Sequence, residues 1–168
     1  MENFSRYTKT VLAGMVAILL LLGCFNWVID PFNRNKKVDF GLPKEAVSSL
    51  MNYQMYKILQ YDSPSIIILG DSRSDVLRAD YFADEDVYNF AYGGGTLYEA
   101  IDTFWFANQG NLKAVVLGVP FCIYTEANSV NRFPAARQVT RNPLSYYLSP
   151  LVTKSGVMAL LTKYTGHS

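Results

Sequence analysis

Between Val11 and Ile29 the chain reads VLAGMVAILLLLGCFNWVI, and Asn26 is its only strongly polar residue. These nineteen residues, at about 1.5 Å of helical rise each, come close to the roughly 30 Å hydrocarbon core of a bilayer. A helix buried in a soluble core normally keeps a polar face, and this segment has none. The expectation is a membrane-spanning signal anchor over 11–29, preceded by a short cytoplasmic tail over 1–10. Trp27 stands near one end, where interfacial aromatic residues collect. Arg6 and Lys9 precede the span, whereas Arg34, Lys36 and Lys37 follow it. The charge count therefore leans against the usual orientation, while the short tail before a larger domain favours a domain outside the cytoplasm. Leu21 to Cys24, LLGC, also resembles a lipoprotein processing box, an alternative in which Cys24 is lipidated.

The rest of the composition excludes several classes. A net charge of +1 carries no clustered basic excess, so no nucleic-acid partner is expected. Aromatic residues make up 14% of the chain, which favours packed structure over disorder. The two cysteines, Cys24 and Cys122, give no disulfide framework, and no metal-ligand spacing surrounds either one. Neither a metal nor another cofactor is expected.

After the span, DPFNRNKKVDFGLP (30–43) reads as a polar connector broken by proline and glycine. From Pro43, apolar residues Val47, Leu50, Met51, Met55, Ile58 and Leu59 recur at helical spacing to about Tyr61. Three apolar runs then suit buried parallel strands: Ile66–Leu69, Val87–Ala91 and Ala114–Val119. Between the first two, SRSDVLRADYF predicts one short helix. Between the last two, TLYEAIDTFWFANQG predicts a helix with Leu97, Ile101, Phe104 and Trp105 on one face and Gly110 at its stop. Alternating strands and helices imply right-handed crossovers and a doubly wound, mostly parallel α/β sheet, in a domain over 44–168. Beyond Cys122, YTEANSVNRFPAARQVTRN reads as a polar excursion, followed by one or two helices broken at Pro150. If Leu151, Val157, Leu160 and Leu161 form an apolar face there, it requires something to pack against.

In such a sheet the ligand crevice lies off the carboxyl ends of the strands, which here carry GDSRSD, YGGGT and GVPFCIY. A serine on a strand-to-helix turn beside a glycine loop offers a nucleophile and backbone amides for an oxyanion. ILGDSRSD followed by VYNFAYGGGTLYE resembles the first two sequence blocks of the SGNH (GDSL-type) hydrolase superfamily. The resemblance implies a flavodoxin-like three-layer fold. It maps the nucleophile onto Ser72, and the oxyanion amides onto Ser72 and Gly94, with Asn89 anchoring the second block. With the membrane helix and WVIDPFN, it further implies a bacterial inner-membrane protein that acts on envelope or exopolysaccharide glycans as an esterase or O-acyltransferase.

Two parts of the family pattern are absent. No Asn follows the third strand in the Gly-x-Asn-Asp position, and the sole histidine, His167, has Tyr164 rather than Asp three residues before it. The stretch from residue 66 onward is also short of the about 150–200 residues a full domain of this type needs. The expectation is an incomplete relative whose base comes from a further segment or a partner, or a non-catalytic membrane scaffold in a polysaccharide assembly complex. Simpler readings stand beside the catalytic ones. Ser72 is also a good N-cap, with Asp75 three residues on. Asp71 suits amide hydrogen bonding within the turn. Arg73 is placed either to grip an anionic or sugar substrate or to pair with Asp75 or Asp80. Gly93–Gly95 fit a tight turn, Phe104–Phe106 a core or a sugar-binding wall, and His167 a solvated terminus.

Overall fold

The computed structural model describes residues 2–35, 49–82, 85–108, 110–121 and 129–165. The chain divides into two compact units. One holds residues 48–138, and the other holds residues 1–47 together with 139–168. The final thirty residues, assigned to the α/β domain from sequence, thus group with the N-terminal helix.

In the α/β unit three strands form a parallel sheet in the order β2-β1-β3. These are β1 (Ile66–Leu69), β2 (Val87–Asn89) and β3 (Ala114–Leu117). β1 sits in the middle, with Ile66 opposite Val87 on one side and Ala114 on the other. Its residues Ile67 and Ile68 are fully buried, as expected of a central parallel strand, which is apolar on both faces. The chain leaves β1, passes through a short helix α3 (Ser72–Asp75) and a 3₁₀ turn (Ala79–Tyr81), and enters β2. It then crosses back through α4 (Leu97–Ala107) to β3. Because the two crossovers run in opposite directions along the sheet, right-handedness puts their helices on opposite faces.

On the α4 face, Ile67, Leu69, Phe90, Ala100 and Ala107 form the core, joined by Tyr61, Tyr88, Phe104 and Phe106. Tyr61 sits at the centre of the aromatic packing, with Phe90 and Phe106 centroids 5.3 and 5.2 Å away. The helix before the sheet, α2 (Leu50–Gln60), starts at Ser49, whose side chain accepts from Asn52 N. The proposed earlier turns from Pro43, with Val47, lie outside the described residues.

Two expectations are corrected. The α4 residues buried in the unit are Glu99, Ala100, Thr103 and Ala107, whereas Ile101 and Trp105 are 44% and 68% exposed. Of the Phe104–Phe106 stripe, Phe104 and Phe106 pack against the core and Trp105 does not. Leu97, Ile101, Phe104 and Trp105 do share one face, which joins Val115 and Leu117 of β3 along an open apolar groove of about 290 Å³. β3 is an edge strand among the described residues, so nothing described there covers this stripe. The second correction concerns the polar excursion, which contains a helix, α5 (Phe133–Thr140). Only Phe133, Ala136 and Thr140 on it are buried, too short a stripe to stand out among its polar neighbours.

In the other unit, α1 runs from Glu2 to Ile29. Its stretch Ser5–Ile29 is long and apolar enough to cross a membrane. Two helices, α6 (Pro143–Tyr147) and α7 (Pro150–Thr165), pack against it. Asn26, fully buried, donates through Nδ2 to the carbonyl of Tyr147 (2.6 Å) and to Thr153 Oγ1 (2.9 Å). The start of the connector is ordered by the same helices. Asp30 accepts from Arg34 N, Asn35 N and the Tyr146 hydroxyl, and Arg34 Nη1 donates to the Thr140 carbonyl.

Candidate functional site

The turn after β1 is built by what a side chain would hit. At Gly70 the backbone has φ 145°, and a Cβ would lie 2.5 Å from Ser74 Oγ and 3.1 Å from the Gly118 carbonyl. Asp71 follows as the N-cap of α3. Its carboxylate accepts from Arg73 N at 3.0 Å, and its carbonyl accepts from Ser74 N and Asp75 N. The cap is therefore Asp71 and not Ser72, because the chain turns helical one residue before a serine cap would allow. Ser72 is left at the first helical position, exposed, and its hydroxyl makes no hydrogen bond to any described residue.

The glycine loop after β2 closes on this turn. Gly95 N donates to the Tyr92 carbonyl at 3.0 Å, and a Cβ at Gly95 would lie 2.5 Å from the Gly70 carbonyl. Backbone on backbone at that distance admits only glycine. Two residues back, the Cβ position of Gly93 lies 3.9 Å from Ser72 Cβ. Gly94 adopts φ 79° and faces Leu50 at the start of α2. The loops off adjoining strands thus bring Ser72 and Gly93–Gly95 to one rim, with Leu50 beside it.

Asn89, at the end of β2, clamps the other end of α3. Its Nδ2 donates to the carbonyls of Ser74 (2.9 Å), Asp75 (3.2 Å) and Leu77 (3.0 Å), and its Oδ1 accepts from Ala91 N (2.8 Å). Carbonyls at a helix end lack intrahelical partners, and here Asn89 serves Asp75 and Leu77 and adds to the backbone bond that Ser74 already accepts from Leu77 N. Asn89 therefore holds the serine turn to the strand that carries the glycine loop.

Arg73 is exposed and makes no ion pair with a described residue. The expected partners are taken. Asp75 meets Lys57 Nζ at 3.7 Å and the Tyr53 hydroxyl at 3.5 Å, and Asp80 pairs with Arg78. Lys57 also donates to the Asn89 carbonyl at 2.6 Å. Burial lowers the Lys57 pKa, against the opposing pull of Asp75, and burial followed by Asp75 raises that of Tyr53.

Sequence reasoning missed this cluster, since Lys57 and Tyr53 lie on a helix distant in the chain. It also missed the brace under the glycine loop. Buried Glu99 accepts from the Tyr92 hydroxyl (2.5 Å), Thr96 N (3.1 Å), Arg132 N (2.8 Å) and Arg132 Nη1 (3.1 Å). Thr96-x-x-Glu99 was legible as a capping box, and the coordinates show both halves of it. His167 and Cys122 lie outside the described residues. Of the segment after β3, Gly118 to Phe121 is described. A Cβ on Gly118 would collide with Ser74 Oγ, so this strand end also closes onto α3.

Comparison with protein-family models, curated proteins and solved structures returns no match for this chain.

Proposed function

We propose that this chain is a membrane-anchored SGNH-like esterase or O-acyltransferase relative that handles acyl groups on bacterial envelope or exopolysaccharide glycans. The observation that carries the reading is the Ser72 hydroxyl, without a hydrogen-bond partner among the described residues, beside the glycine loop of the adjoining strand. The strand order β2-β1-β3 supports it as the opening of the flavodoxin-like order 2-1-3-4-5, whose ligands bind off the strand ends. α1 supports the anchorage, which in this reading is a single-pass span in the inner membrane with the α/β unit outside the cytoplasm.

In this reading Ser72 Oγ loses its proton to a base and attacks the acyl carbonyl. The amides of Ser72 and Gly94 take the charge on the carbonyl oxygen, at about 3 kcal/mol per donor. The leaving alcohol departs with a proton. The acyl group then passes from Ser72 to a glycan hydroxyl or to water. Arg73 grips an anionic or sugar group at the rim, while Asp71 and Asn89 hold the turn. His167 has Tyr164 in place of the family's Asp three residues before it, so in this reading a further segment or a partner protein supplies the base; serine without a base loses several orders of magnitude in rate. A fluorophosphonate probe applied to membranes that express the full product of the locus tests this. Labelling that disappears in Ser72→Ala supports the reading, and labelling that is absent or indifferent to Ser72 ends it.

A second reading is favoured by the groove along β3. Val115, Leu117 and Trp105 expose apolar surface beside an edge strand, and such an edge is a template for another chain. A non-catalytic scaffold in a polysaccharide assembly complex would use it. Detergent-solubilised chain that is monomeric and melts cooperatively alone would count against that role.

A further inference from the structure

α7 is inside out for a helix in water. The residues it buries are Val152, Ser155, Gly156 and Ala159, mostly small. Gly156 lets α1 approach so closely that a Cβ there would lie 3.2 Å from both Phe25 and Ile29. The opposite stripe carries Val157, Met158, Leu161 and Tyr164, exposed by 43%, 44%, 50% and 81%. A helix on a water-soluble protein turns its large apolar residues inward. Helices that meet inside lipid do the reverse, packing through small residues and leaving the large ones to the acyl chains.

The position of α7 along α1 points the same way. Leu148, just before α7, touches the Cβ position of Gly23, and Thr153 in its first turn receives the bond from Asn26. α7 therefore starts beside the last turns of the candidate span and reaches Ile29, its last residue, at Gly156. Residues 139–165 contain Arg141, Lys154 and Lys163 and no carboxylate, a charge pattern complementary to anionic headgroups. Sixteen residues at about 1.5 Å each fall short of a full crossing.

We infer that α7 lies in the interfacial zone of the bilayer, with Val157, Met158, Leu161 and Tyr164 in the lipid. The anchor is then α1 and α7 together, joined through Asn26 and Gly156. This rests on the reading of α1 as a membrane span. Lys154 and Lys163 reach from the helix to the headgroups along their aliphatic stems.

The test places one nitroxide at a time on the full chain, in a Cys24→Ser, Cys122→Ser background, reconstituted in vesicles of phosphatidylcholine and phosphatidylglycerol. Labels at Leu20→Cys, Val157→Cys, Leu161→Cys and Arg73→Cys report collision with oxygen, which concentrates in lipid, and with a water-soluble nickel complex. The expected ratio of oxygen to nickel collisions is several-fold higher at 20, 157 and 161 than at 73. A high ratio at 20 with water-like ratios at 157 and 161 overturns the inference and leaves the span intact. Water-like ratios at 20 as well overturn both. Low collision with both reagents at 157 and 161, or dipolar broadening between labels, puts a protein surface or a second copy on that face and also overturns it.

Discussion

Replacing Asn89 with alanine removes the clamp between β2 and the serine turn. The side chain has two amide protons shared among three carbonyls, and one oxygen on Ala91 N. At about 1 kcal/mol net per neutral hydrogen bond, two full bonds, one shared bond and the acceptor suggest about 3 kcal/mol. The Asp75 carbonyl is solvent-exposed, so water replaces part of that loss, and the expected cost is about 2 kcal/mol. That converts to roughly thirtyfold more frequent local opening and, for a unit of this size, a fall in Tm of about 10 °C. Asn89→Asp is the sharper probe. It keeps the shape and the acceptor but aims a carboxylate at three carbonyl oxygens, so it is expected to cost more than alanine. Hydrogen exchange across residues 71–78 of the full chain in nanodiscs reads the opening directly. Exchange at the wild-type rate in both variants, or Asn89→Asp exchanging no faster than Asn89→Ala, would refute the claim that this side chain holds the turn.

Gly118→Ala is expected to destabilise the α/β unit by about 1–3 kcal/mol through collision with the Ser74 side chain. Ser74→Ala in the same chain should restore much of the loss, and a double-mutant cycle by chemical denaturation without positive coupling would contradict the packing. Gly95→Ala should be far worse than Gly93→Ala, because the first drives a Cβ into the Gly70 carbonyl while the second meets nothing nearer than 3.9 Å. Comparable melting temperatures for the two would show that the loops do not close as described. Tyr88 and Tyr92 have pKa values raised above the ordinary 10.0, both chiefly by burial, with the Glu99 bond adding to Tyr92. The stability they contribute is complete below about pH 10 and is lost as the pH climbs above it, since the native state holds these protons longer. Absorbance at 295 nm should therefore show a fraction of tyrosines ionising only as the structure is lost, and a single titration of all of them near pH 10 with the fold intact would refute it.

The parts of this chain legible from sequence are those where one physical demand dominates. Ile66–Leu69 was legible as a buried parallel strand, because an unbroken apolar run fits a position buried on both faces, and its bounds are those observed. The same reading of Val87–Ala91 and Ala114–Val119 met strands ending at Asn89 and Leu117, the latter strand mostly exposed. The helix in TLYEAIDTFWFANQG was legible too, and α4 spans Leu97–Ala107 within it. The division of labour at Gly-Asp-Ser was not legible, because aspartate and serine are equally good caps and only the path of the chain decides between them. That path is fixed by glycines: Gly70, Gly95 and Gly118 each occupy a spot that a Cβ would fill with backbone or with Ser74. The sequence displays the glycines but not their partners, which sit on three different strand ends. Of the two readings of Arg73, the ion pair with Asp75 or Asp80 is not seen among the described residues, for a related reason. Its expected partner, Asp75, is held by Lys57 and Tyr53 from a helix that precedes the sheet.

The apolar stripes on α4 and on α7 were legible as common faces, but what each one faces was not. Periodicity tells which residues lie on a common face, and assigning that face to a core assumes the other side is water. On α4 the large residues point along the open groove beside β3, while the buried side holds Ala100, Thr103 and Glu99. On α7 the small residues seek α1 and the large ones face out. The two stripes call for different occupants, because their surroundings differ. The groove on α4 adjoins a strand whose outer edge is unpaired among the described residues, and such an edge is a template for another polypeptide. The stripe on α7 adjoins no strand edge among the described residues, and lipid makes no hydrogen-bonding demand on it. In these two proposals, backbone hydrogen-bonding need, rather than apolarity, separates the face offered to protein from the face offered to lipid.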